Sequence, residues 1–269
     1  MSSSFVLSLS ALAALVPAAF VTPVPRRGEG GEGVAFWALL AVAVAGPVTF
    51  VAVQQGAAWR TGVAAALWLA IAVTMVLFVV LAAVQPVARR LAPLLLSYLF
   101  VLGALATLWL NEPERPLSGL APAGWLQTHI LVSVIAYGLL TLAAVAGAAV
   151  VVQERALKAK RPTAFTRVLP AVAEGETLQE RLLAASAVVL AVAIVTGATL
   201  TWRESGVLLR ADHKTVLSLA TFVVIAALLW LHFRQGLSGR RAARYILVAY
   251  LLLTLAYPGV KFVTDVLVG

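Results

Sequence analysis

The sequence predicts an all-α protein, a polytopic bundle of about eight transmembrane helices with both termini on the outer side. Three observations carry this. Hydrophobic residues make up 62% of the chain and charged residues only 12%, where soluble domains hold roughly half and a quarter. The apolar residues fall in long runs, and the breaks between runs hold the charge, proline and glycine. Lysine and arginine are also distributed unevenly between alternate breaks.

Only a helix whose backbone bonds close internally crosses about 30 Å of hydrocarbon alone, and it needs about 20 mostly apolar residues. Runs meeting this condition cover approximately 4–24, 34–54, 62–85, 91–110, 125–152, 182–202, 213–233 and 242–267. The first resembles a cleaved signal peptide in length. It has no basic residue ahead of its apolar stretch, and Arg26-Arg27 follow it, so a retained helix is expected. The second is set off from the first by Pro25-Arg26-Arg27-Gly28-Glu29-Gly30. The third and fourth flank Arg89-Arg90, and Asn111-Glu112-Pro113-Glu114-Arg115-Pro116 ends the fourth. The fifth and sixth are separated by the longest polar segment, 153–181, read as a cytoplasmic loop. A solvated connector is expected there, with room for a short amphipathic helix, and docking of a partner is the other reading. The last two runs are divided around Gly236-Leu237-Ser238-Gly239. No stretch outside the runs builds a soluble core, so residues 1–269 form a single integral membrane domain.

Orientation follows from basic residues, which are retained on the cytoplasmic side. The breaks near 30, 88, 167 and 238 and their helix ends carry fourteen Lys and Arg, against six on the other side. The first set should face the cytosol. The net charge of +9 then lies mainly beside an anionic leaflet and is no nucleic-acid footprint.

Cysteine is absent, which removes thiol chemistry, disulfides, thiolate metal sites and covalent haem attachment through Cys-x-x-Cys-His. No phosphate loop, zinc-protease helix, nucleophile elbow or fixed-period repeat occurs. Any metal or haem iron must be held by His, Met or oxygen ligands, and there are only three histidines. His129 opens the fifth run in Trp125-Leu126-Gln127-Thr128-His129, with Ser133 and Tyr137 following at four-residue steps on one face. His213 stands in Arg210-Ala211-Asp212-His213-Lys214 on the same membrane side. His232 lies about 28 Å further along the seventh helix, beside Arg234, as a residue whose polar tip reaches the cytoplasmic interface. An ionisable group inside a span marks a functional candidate, and His213 is the same-side partner available to His129.

With these residues the chain resembles the cytochrome c assembly protein family of haem-handling membrane proteins, and within it the HemX-like and YpjD-like branch. The resemblance spans roughly 60–269 and is strongest from Trp125 onward. It rests on Trp125 to His129 leading into Ser133 and Tyr137, then on Gln153-Glu154-Arg155-Ala156-Leu157-Lys158 and Leu169-Pro170. It continues through Thr196-Gly197, His213-Lys214-Thr215-Val216-Leu217-Ser218, Gly236 to Ala242, and Tyr257-Pro258-Gly259.

Family members that deliver haem carry a tryptophan-rich periplasmic segment flanked by ligating histidines. The corresponding stretch here, 202–214, keeps only Trp202 of those tryptophans, with Asp212 and Lys214 where the motif ends. The C-terminal outer histidine has no counterpart. The resemblance therefore implies the fold and haem handling, and does not extend to direct delivery of haem to apocytochrome. It implies haem b as cofactor, and His129 and His213 as axial ligands. Trp125 and Trp202 would flank the site, and Arg203, Arg210 and Lys214 would pair with the propionates. It also implies a bacterial inner membrane, partners among other cytochrome c biogenesis proteins, and no enzymatic turnover. Two other readings stand beside it. One is a regulatory or interaction protein sharing the fold without haem. The other is a transporter, which the scarcity of mid-membrane charge disfavours.

Overall fold

The computed structural model describes residues 3–20, 31–55, 62–110, 123–208, 212–235 and 239–263. Among them the chain is helical throughout and eight helices are long and apolar enough to cross a membrane. The elements are α1 (Ser3–Phe20), α2 (Gly31–Gln55), α3 (Val63–Val84), a 3₁₀ turn (Pro86–Leu91), α4 (Ala92–Leu108) and α5 (Ala123–Lys158). They continue with α6 (Ala164–Val168), α7 (Val172–Ser205), α8 (His213–Gln235), α9 (Gly239–Thr254), a π-helical turn (Leu255–Gly259) and α10 (Val260–Phe262). All eight expected spans are present.

α3 ends where Pro86 disfavours helix at Gln85. Arg89 then turns back, and its Nε donates to the Ala82 carbonyl at 2.9 Å while the guanidinium lies 5.1 Å from the Trp37 ring. A cation at the carbonyl end of α3 is thereby held against α2.

α5 packs on α7, α9 and α3, and α1 packs on α2 and α4. Without a hydrophobic drive between helices in lipid, close approach of small residues supplies the packing. A Cβ at Gly138 would meet Leu77 at 2.9 Å, and one at Gly147 would meet Gln179 at 2.8 Å and Ala243 at 3.4 Å. These two positions let α5 lie flush on α3, α7 and α9 at once.

The segment 153–181 differs from the expected connector. α5 continues to Lys158 and α7 begins at Val172, so the true link is 159–171, with α6 inside it. The polar residues here make helix rather than loop because their charges pair and cap. Glu154 and Lys158 are 3.4 Å apart one turn along α5. The Ala171 N–H donates to Glu174 at 3.2 Å ahead of α7, and Thr163 accepts from the Thr166 N–H at 3.2 Å ahead of α6. α5 closes in a Schellman turn, with Arg161 N–H donating to Ala156 O at 3.2 Å and Lys160 at φ 50° in the left-handed position usually given to glycine. At 36 and 34 residues, α5 and α7 are ~54 and ~51 Å long. Both exceed the ~40–45 Å of a whole bilayer, so a charged helical hairpin overhangs it.

Polar groups inside the spans are joined to one another. Tyr98 of α4, Tyr137 of α5 and Tyr250 of α9 share their hydroxyls. Tyr137 lies 2.9 Å from Tyr250, 3.5 Å from Tyr98 and 3.5 Å from Thr254, and Tyr98 also bonds Tyr250. Three helices are tied at mid-span by groups that would be unsatisfied in lipid.

Candidate functional site

A cavity of about 240 Å³ opens between α5, α7, α8 and the π-helical turn, at the end of the bundle where α8 begins. His129 stands in its wall, in the second turn of α5. Two residues of α7 seat its ring. His129 Nδ1 lies 3.0 Å from Thr196 Oγ1, and the single Thr196 proton is donated to the Ala193 carbonyl at 3.0 Å. Thr196 is therefore the acceptor and Nδ1–H the donor. This leaves the lone pair on Nε2, the tautomer that binds a metal, fixed by its second-nitrogen bond. Gly197 makes room for the ring, since a Cβ there would stand 2.9 Å from His129 Cε1. From the next turn Ser133 Oγ donates to the His129 carbonyl at 2.7 Å.

α8 supplies the opposite wall. Its start is capped by Asp212, whose Oδ1 accepts from the Thr215 N–H at 2.7 Å. Asp212, Lys214, Thr215, Ser218 and Leu219 line the cavity. At about 100° per residue, the strip from 214 to 219 is centred about 170° around α8 from His213. His213 is exposed and does not line the cavity.

The sequence-expected residues thus divide. His129 and Lys214 share the cavity. Trp125 and Arg203 lie outside it, paired across α5 and α7 with the guanidinium 5.8 Å from the indole. Trp202 is 54% exposed and does not line the cavity. Arg210 lies outside the described residues. His232 is at the far end of α8, where its Nε2 lies 3.1 Å from Glu180 of α7. The expected two-imidazole arrangement is not assembled in this geometry, and helix phase is the reason. Sequence reasoning also missed Thr196 and Gly197 as the seat of the imidazole, and Ser218 and Tyr257 on the inner wall.

The family model described as cytochrome C assembly protein matches residues 32–268. The chain belongs to the cytochrome c assembly protein family. The match starts about a helix earlier than the expected 60 and takes in α2. A 28.8 kDa protein of the nifR3-like 5′ region of Azospirillum brasilense is 52% identical over the full length of both chains. The inner membrane protein YpjD of Escherichia coli K12 is 29% identical over 66% of this chain and 65% of its own. No solved structure matches. With its eight apolar helices this is a multi-pass protein of the bacterial inner membrane.

The chemistry of the donor set can be tested against haem. Among the described residues no three His, Cys, Asp or Glu gather as a metal cage, but haem iron needs only axial ligands. His129 offers one imidazole with a free lone pair, and Lys214 offers a cation for a carboxylate at the mouth. The volume falls below the ~300–1,000 Å³ of sites that enclose a drug-sized ligand. The donor set offers one imidazole and one cation, and a cavity of this volume would cover only part of a tetrapyrrole.

Proposed function

We propose that this protein is a non-catalytic haem-handling factor, holding haem b in the cavity on the outer side of the inner membrane. The observation that carries the reading is the His129 imidazole, held at Nδ1 by Thr196, in a cavity whose other wall bears Lys214. His129 would be the axial ligand and Lys214 would pair with a propionate, as an ammonium does with a carboxylate. Haem, when bound, supplies the iron that the imidazole recognises. The protein's own residues bind it, orient it and keep part of it from water. His213 as second ligand would require the start of α8 to rotate, and Arg203 would have to leave Trp125. Other cytochrome c biogenesis proteins are the expected recipients or donors of the cargo.

The test is an optical titration of the detergent-purified chain with haem. A Soret shift is expected, lost or moved to high spin in His129→Ala and partly restored by added imidazole. Lys214→Ala should lower occupancy without altering the ligand spectrum. His213→Ala separates one-imidazole from two-imidazole ligation, and a wild-type spectrum in that variant is expected. A wild-type spectrum in His129→Ala refutes the site.

A second reading, a regulatory protein without haem, is favoured by the overhanging α5–α6–α7 hairpin. It carries Arg155, Lys158, Arg161 and Arg167 beside Leu157 and Phe165, which are 66% and 43% exposed. Absence of any Soret shift, with loss of function on trimming 159–171, would select it.

A further inference from the structure

The inner end of the cavity has polar groups that the haem reading above does not use. Tyr137 and Tyr257 lie there with Ser218, about one turn deeper along α8 than Lys214 and about two turns deeper along α5 than His129. Tyr137 is committed, since its hydroxyl is shared with Tyr98, Tyr250 and Thr254. Tyr257 is different. Its ring packs on Tyr137 with centroids 6.0 Å apart and planes at 45°, but among the described residues its hydroxyl makes no hydrogen bond. Its side chain is one of those that line the cavity. Ser218 likewise has no hydrogen bond among the described residues, although most span hydroxyls here donate back to a carbonyl of their own helix. Tyr257 is carried by the π-helical turn, which contains Pro258. Such turns re-aim side chains at functional positions.

We propose that the Tyr257 and Ser218 hydroxyls form a subsite donating hydrogen bonds to a neutral oxygen of the bound ligand, a carbonyl or formyl group on the edge remote from its carboxylates. The proposal rests on the haem reading and adds an orientation to it. Among the described residues the cavity's one cationic side chain is Lys214, in the first turn of α8. A carboxylate placed at the inner end would be unpaired and costly, whereas a carbonyl would satisfy the two hydroxyls without bringing charge. The acid edge therefore faces out and the neutral oxygen faces in. Water is the competing occupant, since a polar cavity of this size accepts it.

The test titrates the full-length protein in detergent with two probes, protohaem and a haem carrying a formyl group opposite its propionates. The formyl C=O stretch is followed by resonance Raman. The formyl haem should bind about three- to tenfold tighter, the worth of one or two neutral hydrogen bonds, with its stretch lowered. Tyr257→Phe and Ser218→Ala should each reduce the preference and raise the stretch, with the formyl haem losing more affinity than protohaem. Equal affinities with an unshifted stretch in the wild type would mean that water alone fills the inner end, and would overturn the subsite while leaving the haem reading standing. Equal loss of both haems in Tyr257→Phe and in Ser218→Ala would make these residues structural and overturn it too. Failure of either haem to bind the wild type would defeat the haem reading, and the subsite with it.

Discussion

Replacing Gly197 with alanine puts two effects of known sign against each other at one position. Alanine removes the entropic handicap of glycine inside α7, a gain of about 0.5–1 kcal/mol. The new Cβ would stand 2.9 Å from His129 Cε1, while carbon atoms settle at about 3.5–4.0 Å. The ring must therefore retreat by roughly 0.6–1 Å. A retreat of that size takes Nδ1 away from Thr196, now at 3.0 Å, and toward the limit of a hydrogen bond at about 3.5 Å. The lost bond costs about 1 kcal/mol, so the two terms nearly cancel in stability.

They do not cancel at the site. Loss of the group that orients a metal-binding imidazole typically lowers affinity about 10- to 100-fold. Gly197→Ala should therefore melt within a few degrees of wild type in detergent, by circular dichroism, while its haem affinity falls by that factor. Thr196→Val is the companion variant. It removes the acceptor without crowding the ring and should weaken binding about tenfold. A Gly197→Ala protein that binds haem as the wild type does would refute the seating of His129 on α7, and with it the tautomer argument.

Three further outcomes are expected. A reporter active only in the cytosol should be active when fused after Lys160 or Gly239 and silent after Ser118 or at the C-terminus, and the reversed pattern would put the His129 cavity on the cytosolic side. Lys160→Gly should relieve the left-handed strain at the end of α5, worth about 1 kcal/mol, and raise the melting temperature by ~2–4 °C; a lowered value would show that the Lys160 side chain outweighs its backbone cost. Tyr250→Phe breaks two of the mid-span phenol bonds and should cost about 1–2 kcal/mol, seen as a lower melting temperature than Tyr245→Phe, whose target is half exposed. Equal melting of the two would deny the phenol cluster any part in holding α4, α5 and α9 together.

The number and order of spans were legible in the sequence because bilayer thickness imposes a length that an apolar run either meets or does not. The overhang of α5 and α7 was not, since hydropathy marks where lipid ends and is silent on where a helix ends. Gln153 to Lys158 are polar yet helical, and the signals for that were local: Glu154 one turn before Lys158, and Glu174 three residues after Ala171. Reading caps and pairs across 153–181, in place of average polarity, would have narrowed the connector to 159–171.

The site shows the same division between what periodicity carries and what only tertiary contact supplies. His129, Ser133 and Tyr137 were placed on one face from their spacing, and all three line the cavity. The identical reasoning applied to α8 would have separated His213 from Lys214, because neighbours differ by about 100° and the polar residues after them, Thr215 and Ser218, share the strip with Lys214. Membrane side was used to pair His129 with His213, but side is a condition on depth alone, and helix phase is the independent condition that decides which of two neighbours faces in. Thr196 and Gly197 were visible only as a motif, since nothing within α7 tells that a ring from α5 will lie on them. The hydroxyl cluster had a sequence signal of its own: its three tyrosines, Tyr98, Tyr137 and Tyr250, fall inside apolar runs. A phenol in lipid needs a partner, so the residues most in need of each other were already marked, and only their pairing awaited the fold.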